Sequence, residues 1–223
     1  MEALQLVKQQ CNTQVFLLVL DLNDAASLQD KVADALKLYG NIDILINNAG
    51  VSQRSLATET QFEVYRQIME VNFFGTIALT KEILKHFQKK NAGTFVTLSS
   101  VAGITGLPYR TAYCAAKFAL EGFFAALRTE LWKTNIHIMM VRPGAVNTNI
   151  AKNALTGNGA AFNDNDKIIA AGMPPEKLAE AILKSIVEKR KVLMIGSFKE
   201  KLLFVLNRFM PVVVFNAVKK IKH

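Results

Sequence analysis

Four short, largely apolar runs, separated by segments of helical character, constrain this chain more than any other feature. They are Val15 to Leu20 (VFLLVL), Ile42 to Ile46 (IDILI), Thr94 to Leu98 (TFVTL) and Ile136 to Val141 (IHIMMV). Runs of this length and apolarity suit strands buried on both faces. A last short strand is expected over Val192 to Ile195. Between them, Ser27 with Asp30 resembles a capping box opening a helix toward Tyr39, which Gly40 stops. Helical stretches follow over about Glu59 to Lys90, with a break near Asn72 to Gly75, and over Tyr109 to Trp132. Residues 147–172 read as loop with a short helix, and Pro175 opens a helix to Lys191. Strands alternating with helices imply βαβ units with right-handed crossovers. The fold class expected is α/β, a doubly wound, Rossmann-like parallel sheet.

In such sheets ligands bind at the carboxyl ends of the strands. Polar or turn-forming residues stand there after all four runs: Asp21, then Asn47-Asn48-Ala49-Gly50, then Ser99-Ser100, then Pro143-Gly144. Their common placement points to one catalytic face.

Length and composition narrow the alternatives. With 223 residues the chain suits one large domain, and 51% apolar residues argue against disorder. Its two cysteines, Cys11 and Cys114, form no CxxC or metal spacing, so a reduced, cytoplasmic setting is the default. Met1 to Asn12 has no long apolar core of a secretory signal. The net charge is +9, with six Lys/Arg against one Glu from Lys199 to His223. Such an end suits an anionic surface or a solvated face. Nucleic acid is not the expected partner.

Tyr113 and Lys117 are four residues apart on a predicted helix and so share one face. A phenol with a pKa near ~10 is a poor acid/base at neutral pH. An adjacent ammonium would favour the phenolate and lower that pKa, suiting proton exchange with an alcohol or carbonyl oxygen. Ser100 could hydrogen-bond the same oxygen. A Tyr-x-x-x-Lys pair in isolation is most often a surface pair; its context here changes that reading.

The segments DILINNAG, VNFFG, TLSSVAG, YCAAK and VRPGAVNT together resemble the short-chain dehydrogenase/reductase family, from about Val15 to Gly196, and its member 7-like branch in particular. The resemblance implies NAD or NADP as cofactor and a small apolar alcohol or carbonyl compound as substrate. It implies that Tyr113 is the acid/base, that Lys117 lowers its pKa and holds the nicotinamide ribose, and that Ser100 polarises the substrate oxygen. Asn72 would hold a water linking Lys117 to solvent, or else satisfy backbone at a helix break. Asn48, Ala49 and Gly50 would line the cofactor; Gly144, Val146 and Thr148 would meet its nicotinamide end. Asp21 would contact the adenine, or simply end its strand. Residues 147–172 would close the substrate pocket.

The family opens with a strand, a glycine-rich turn, a helix and a second strand, in the order 3-2-1-4-5-6-7. Here no glycine precedes Gly40, so the turn whose amides would hold a pyrophosphate is missing. The organisation expected is therefore an N-terminally truncated domain over 1–196, lacking two strands and a helix, and a basic, apolar extension over 197–223. Val15 to Leu20 would be strand 3, with an unpaired edge. An enzyme is the first reading; a catalytically silent interaction or scaffold protein is the second.

Two surfaces suggest partners. Phe118, Gly122 and Ala126, or Phe123 and Leu127, would form an exposed apolar stripe, suiting a homodimer or tetramer. Leu202 to Val218, apolar but broken by Asn207, Arg208 and Pro211, is flanked by Lys199, Lys201, Lys219, Lys220 and Lys222. It suits either peripheral membrane contact or a tail packed over the substrate pocket.

Overall fold

The computed structural model describes residues 2–164 and 166–219; Lys220, Lys222 and His223 lie outside them. Four parallel strands form one sheet: β1 (Ile44–Asn47), β2 (Gly93–Leu98), β3 (Ile136–Pro143) and β4 (Val192–Ile195), side by side in sequence order. Register is set by pairs such as Ile46 with Val96, Val96 with Met139, and Val141 with Leu193. The helices are α1 (Glu2–Gln9), α2 (Leu28–Tyr39), α3 (Phe62–Met69), α4 (Thr76–Lys90), α5 (Thr111–Glu130), α6 (Lys167–Ala170), α7 (Pro175–Val187), α8 (Phe198–Phe209) and α9 (Pro211–Val218).

The side-chain alternation of β2 and β3 builds two cores. Phe95, Ile136, Ile138 and Met140 pack on one face with Val32, Ile83, Phe87, Leu120 and Phe124 from α2, α4 and α5. Val96, Met139 and Val141 pack on the other with Leu178 and Ile182 of α7. Helices thus cover both faces, as expected of an α/β fold.

The expected break between Glu59 and Lys90 is a π-helical turn over Glu70–Gly75 joining α3 to α4. It carries Asn72 inward. Gly75 is required there, since a Cβ would lie 2.1 Å from the Leu22 carbonyl oxygen. Gly40 stops α2 in a left-handed conformation at φ 72°, as its position predicts.

Three expectations are corrected. Val15 to Leu20 is not a strand. Apolarity reports burial, but a strand also needs a hydrogen-bonding neighbour, and no ladder joins this segment to β1. It is held instead by Tyr39, whose hydroxyl donates to the Gln14 carbonyl (3.1 Å) and accepts from the Phe16 N–H (3.2 Å); the Phe16 and Tyr39 rings meet edge to face. Ile44 and Ile46 of β1 stay partly exposed in consequence. Ser27 stands at the start of α2 without a capping bond from its side chain, because a 3-10 turn over Ala25–Ser27 precedes the helix and Asp24 caps that turn. Finally, α7 ends at Val187 rather than at Lys191.

Beyond β4, α8 and α9 fold back onto the body. Asn207 donates to the Ile104 carbonyl (2.6 Å), Arg142 stacks over Phe204, and Val214 and Val218 are buried. Among the described residues no helix is long and apolar enough to cross a membrane.

Candidate active site

A cleft of about 490 Å³ opens at the carboxyl ends of the strands, the place where α/β sheets take ligands. Part of its wall derives from the chain reversals after the strands. After β1 come Asn48 and Gly50; after β2, Ser99 and Ser100; after β3, Gly144, Val146 and Thr148; and α5 supplies Tyr113 and Lys117.

The start of α5 is fixed from outside the helix. Arg110, at its N-cap, makes no side-chain capping bond. Gln53, fully buried, takes over that work: its Oε1 accepts the Ala112 N–H at 2.8 Å. Its Nε2 donates to Thr60 (3.0 Å), Ser55 (3.2 Å) and Thr111 (3.4 Å) hydroxyls. One amide thereby ties the loop after β1 to the turn of helix that bears Tyr113. No local pattern marks this bond, since Gln53 and Ala112 are far apart in the chain.

Lys117 is buried, and its ammonium donates to the Leu98 carbonyl at the end of β2 (2.7 Å). It sits 5.7 Å from the centre of the Tyr113 ring. Burial pushes its pKa down to about 8, with Glu121 acting weakly the other way. Tyr113 is also buried, and burial raises its pKa above 10, against the opposing pull of Ser100 and Arg110. At Tyr113 desolvation outweighs the favourable charges, of which Arg110 acts most strongly. Tyr113 stands as a protonated phenol, a donor.

Ser100, in extended backbone, accepts the Ala102 N–H at 3.1 Å and opens a 3-10 turn over Val101–Gly103. Asn72 reaches up from the π-helical turn and makes both bonds that Val51 offers, accepting its N–H (2.7 Å) and donating to its carbonyl (2.8 Å). A Cβ on Gly50 would lie 3.1 Å from Asn72 Oδ1 and 3.7 Å from Lys117 Nζ. Asn72, Gly50 and Lys117 therefore converge beneath the cleft. Of the other residues named from sequence, Ala49 does not line the cleft and Asp21 lies away from it, exposed and folded onto Asn23.

Sequence reasoning missed three charged groups here. Arg54 and Arg110 line the cleft, and Asp166 bonds both: the same oxygen, Oδ2, takes Nη2 of Arg54 and Nη2 of Arg110, the latter at 3.0 Å. Asp166 caps α6 through its other oxygen, accepting from Ile168 (2.8 Å) and Ile169 (3.1 Å). These ties hold the start of α6 against the cleft, where Thr148, Ile150 and Ile169 form part of the wall.

Residues 1–159 match the family described as short chain dehydrogenase. The chain belongs to the short-chain dehydrogenase/reductase family. It is 40% identical over 204 residues to a dehydrogenase/reductase SDR family protein 7-like of Anopheles gambiae, covering 92% of this chain. The chain spans 64% of that relative's length. Among solved structures it resembles a short-chain dehydrogenase from Streptomyces avermitilis, with a TM-score of 0.79 at 26% identity over 97% of this chain and 83% of that one. It also resembles ElxO with NADP bound, with a TM-score of 0.55 at 34% identity over 57% of this chain and 52% of that one.

Proposed function

We propose that this protein is an NAD(P)-dependent oxidoreductase that interconverts an alcohol and a carbonyl group on a substrate with an apolar body. The observation that carries this reading is the convergence of Ser100, Tyr113 and Lys117 on one cleft at the carboxyl ends of β1 to β3. Family membership and the NADP in the ElxO structure support it.

The nicotinamide cofactor supplies or accepts the hydride when bound. The protein handles position and protons. In the reducing direction Ser100 and Tyr113 hydrogen-bond the carbonyl oxygen, and Tyr113, kept protonated by burial, donates its proton as that oxygen becomes a hydroxyl. Lys117, with its ammonium directed at the Leu98 carbonyl, stands where it can hold ribose hydroxyls. Asn48, Gly50, Gly144, Val146 and Thr148 line the remainder of the cofactor's side of the cleft. The test is the loss of NADH or NADPH absorbance with medium-chain aldehydes and ketones. Absence of turnover with either dinucleotide, in a chain shown to be folded, would overturn the reading.

A second reading is a catalytically silent interaction or scaffold protein. Titration of NADH fluorescence separates the two, since a scaffold binds no dinucleotide.

Two further readings belong to the same proposal. Phe118, Gly122 and Ala126 form an exposed stripe on α5, whereas Leu127 is buried in the core and Phe123 is packed against it. The first stripe is the face we assign to a homodimer. The outer side of α8 and α9 exposes Phe198, Phe209 and Phe215 beside Lys199, Lys201 and Arg208, a surface suited to peripheral contact with an anionic membrane from the cytoplasmic side.

A further inference from the structure

Burying a guanidinium is costly unless its donors and its charge are met. Arg54 and Arg110 are both more than nine-tenths buried, on the wall of the same apolar cleft. They share one carboxylate oxygen of Asp166. Arg54 spends Nη1 on the Gln53 carbonyl (3.3 Å), and its Nε, shielded from solvent, has no partner among the described residues. Of the charged side chains lining the cleft, three are cations, Arg54, Arg110 and Lys117; the one acid, Glu200, is engaged by the amides of Ala145 (2.7 Å) and Ser197 (2.6 Å). Positive charge is in excess where water is scarce. Burial and the neighbouring Arg54 charge bring the Arg110 pKa down to about 10, although Asp166 opposes them. Both guanidiniums line the cleft that Tyr113 also lines.

We infer that Arg54 and Arg110 form an anion-recognition site within the cleft, and that the substrate is a carbonyl compound bearing a carboxylate or phosphate group close to the carbonyl and an apolar remainder. This deepens the oxidoreductase reading and rests on it for the word substrate; the anion site itself does not. A planar guanidinium pair suits either oxyanion through paired N–H donors. Leu107, Ile150 and Ile168, on the same cleft, would hold the apolar part.

The test is calorimetric binding of 1-octanol, octanoate and octyl phosphate to the purified 223-residue chain without cofactor. At least one anion should bind tenfold or more tightly than octanol, and which one does so separates a carboxylate from a phosphate ligand. Arg110→Gln should erase that preference while octanol binding stays within twofold, which also reports that the cleft is intact. Arg110→Lys, which keeps the charge and can keep the Asp166 pair, should restore part of it. Equal affinities for all three ligands in the unmodified chain would overturn the inference. So would a preference that survives Arg110→Gln. Binding needs no turnover, so a chain that favours the anion but reduces nothing would refute the proposed reaction and leave the site standing. A working reductase indifferent to the anion would do the reverse.

Discussion

Lys117 gives its ammonium to the backbone carbonyl of Leu98, 2.7 Å away, rather than to the Tyr113 hydroxyl one helical turn before it. The interaction locks the side chain to the end of β2, but a carbonyl dipole does not repay the desolvation of a full charge. The pKa of about 8 records that imbalance.

A dependence of stability on pH follows. The folded pKa of Lys117 is depressed below the 10.5 of an exposed lysine, so between about 8 and 10.5 the unfolded chain binds more protons. Stability from this group then rises with pH across that window. Lys117→Met should be the more stable protein at pH 7, by roughly 3 kcal/mol at 1.36 kcal/mol per pKa unit. The gap should close by pH 10.5. Comparing the two proteins cancels Cys114 and Tyr113, whose raised pKa values act with the opposite sign. Urea denaturation at pH 7, 8.5 and 10 measures it; a gap that does not narrow would show that Lys117 is not the strained charge described.

Tyr113→Phe removes a hydroxyl and little else. Positioned proton transfer contributes ~10² to 10⁴ in rate, so carbonyl reduction should fall by at least a hundredfold. The ring stays packed with Ala102 and Cys114, and the midpoint of urea unfolding should move little. Steady-state kinetics with unfolding controls decide this. A variant keeping a tenth of the rate would remove Tyr113 from the role of acid.

Gln53→Leu should be costly for its size. The amide serves Ala112, Thr60, Ser55 and Thr111 at once, and leucine leaves the Ala112 N–H buried without its acceptor. Each buried unsatisfied group costs ~1 to 3 kcal/mol, so a loss of about 3 kcal/mol is expected. Hydrogen exchange should quicken most at the first turn of α5. A loss spread evenly over the sheet would argue that Gln53 supports packing in general.

Much of this was legible from the sequence, and the exceptions share a cause. Strands β2, β3 and β4 fall within about two residues of their predicted bounds because each is apolar and pairs with a neighbour in the sheet. Val15 to Leu20 is as apolar as they are but has no such neighbour, and the sequence pattern cannot report a partner's absence. The i, i+4 spacing puts Tyr113 and Lys117 on one helix face, while their roles and that of Ser100 were legible only through the resemblance carried by the surrounding motifs. The Arg54–Asp166–Arg110 cluster was not: Asp166 lies 112 positions from Arg54 and 56 from Arg110. Likewise the sign of the Tyr113 shift depends on burial, which no spacing encodes.

For α8 and α9 the sequence left two readings open, a tail over the cleft and a membrane-contacting face, and the two sides of these helices are tested separately. The inner side closes the cleft: Glu200 accepts the Ala145 N–H (2.7 Å), Leu203 joins the wall, and Asn207 reaches the Ile104 carbonyl. A Cβ on Gly144 would lie 2.3 Å from the Glu200 carboxylate, so the glycine after β3 makes room for this contact. The outer side leaves Phe198 and Phe209 nearly four-fifths exposed, with basic residues beside them. Water is a poor solvent for such a face, and an anionic interface adds ~1 kcal/mol for each Lys or Arg near the surface. Vesicles rich in phosphatidylserine should therefore bind the chain at least a hundredfold more tightly than neutral ones, and Phe198→Ser with Phe209→Ser should weaken binding to both. Because these two rings point away from the cleft contacts, the double variant should keep its affinity for octanol. Equal partitioning onto anionic and neutral vesicles, or none onto either, would leave α8 as a lid alone.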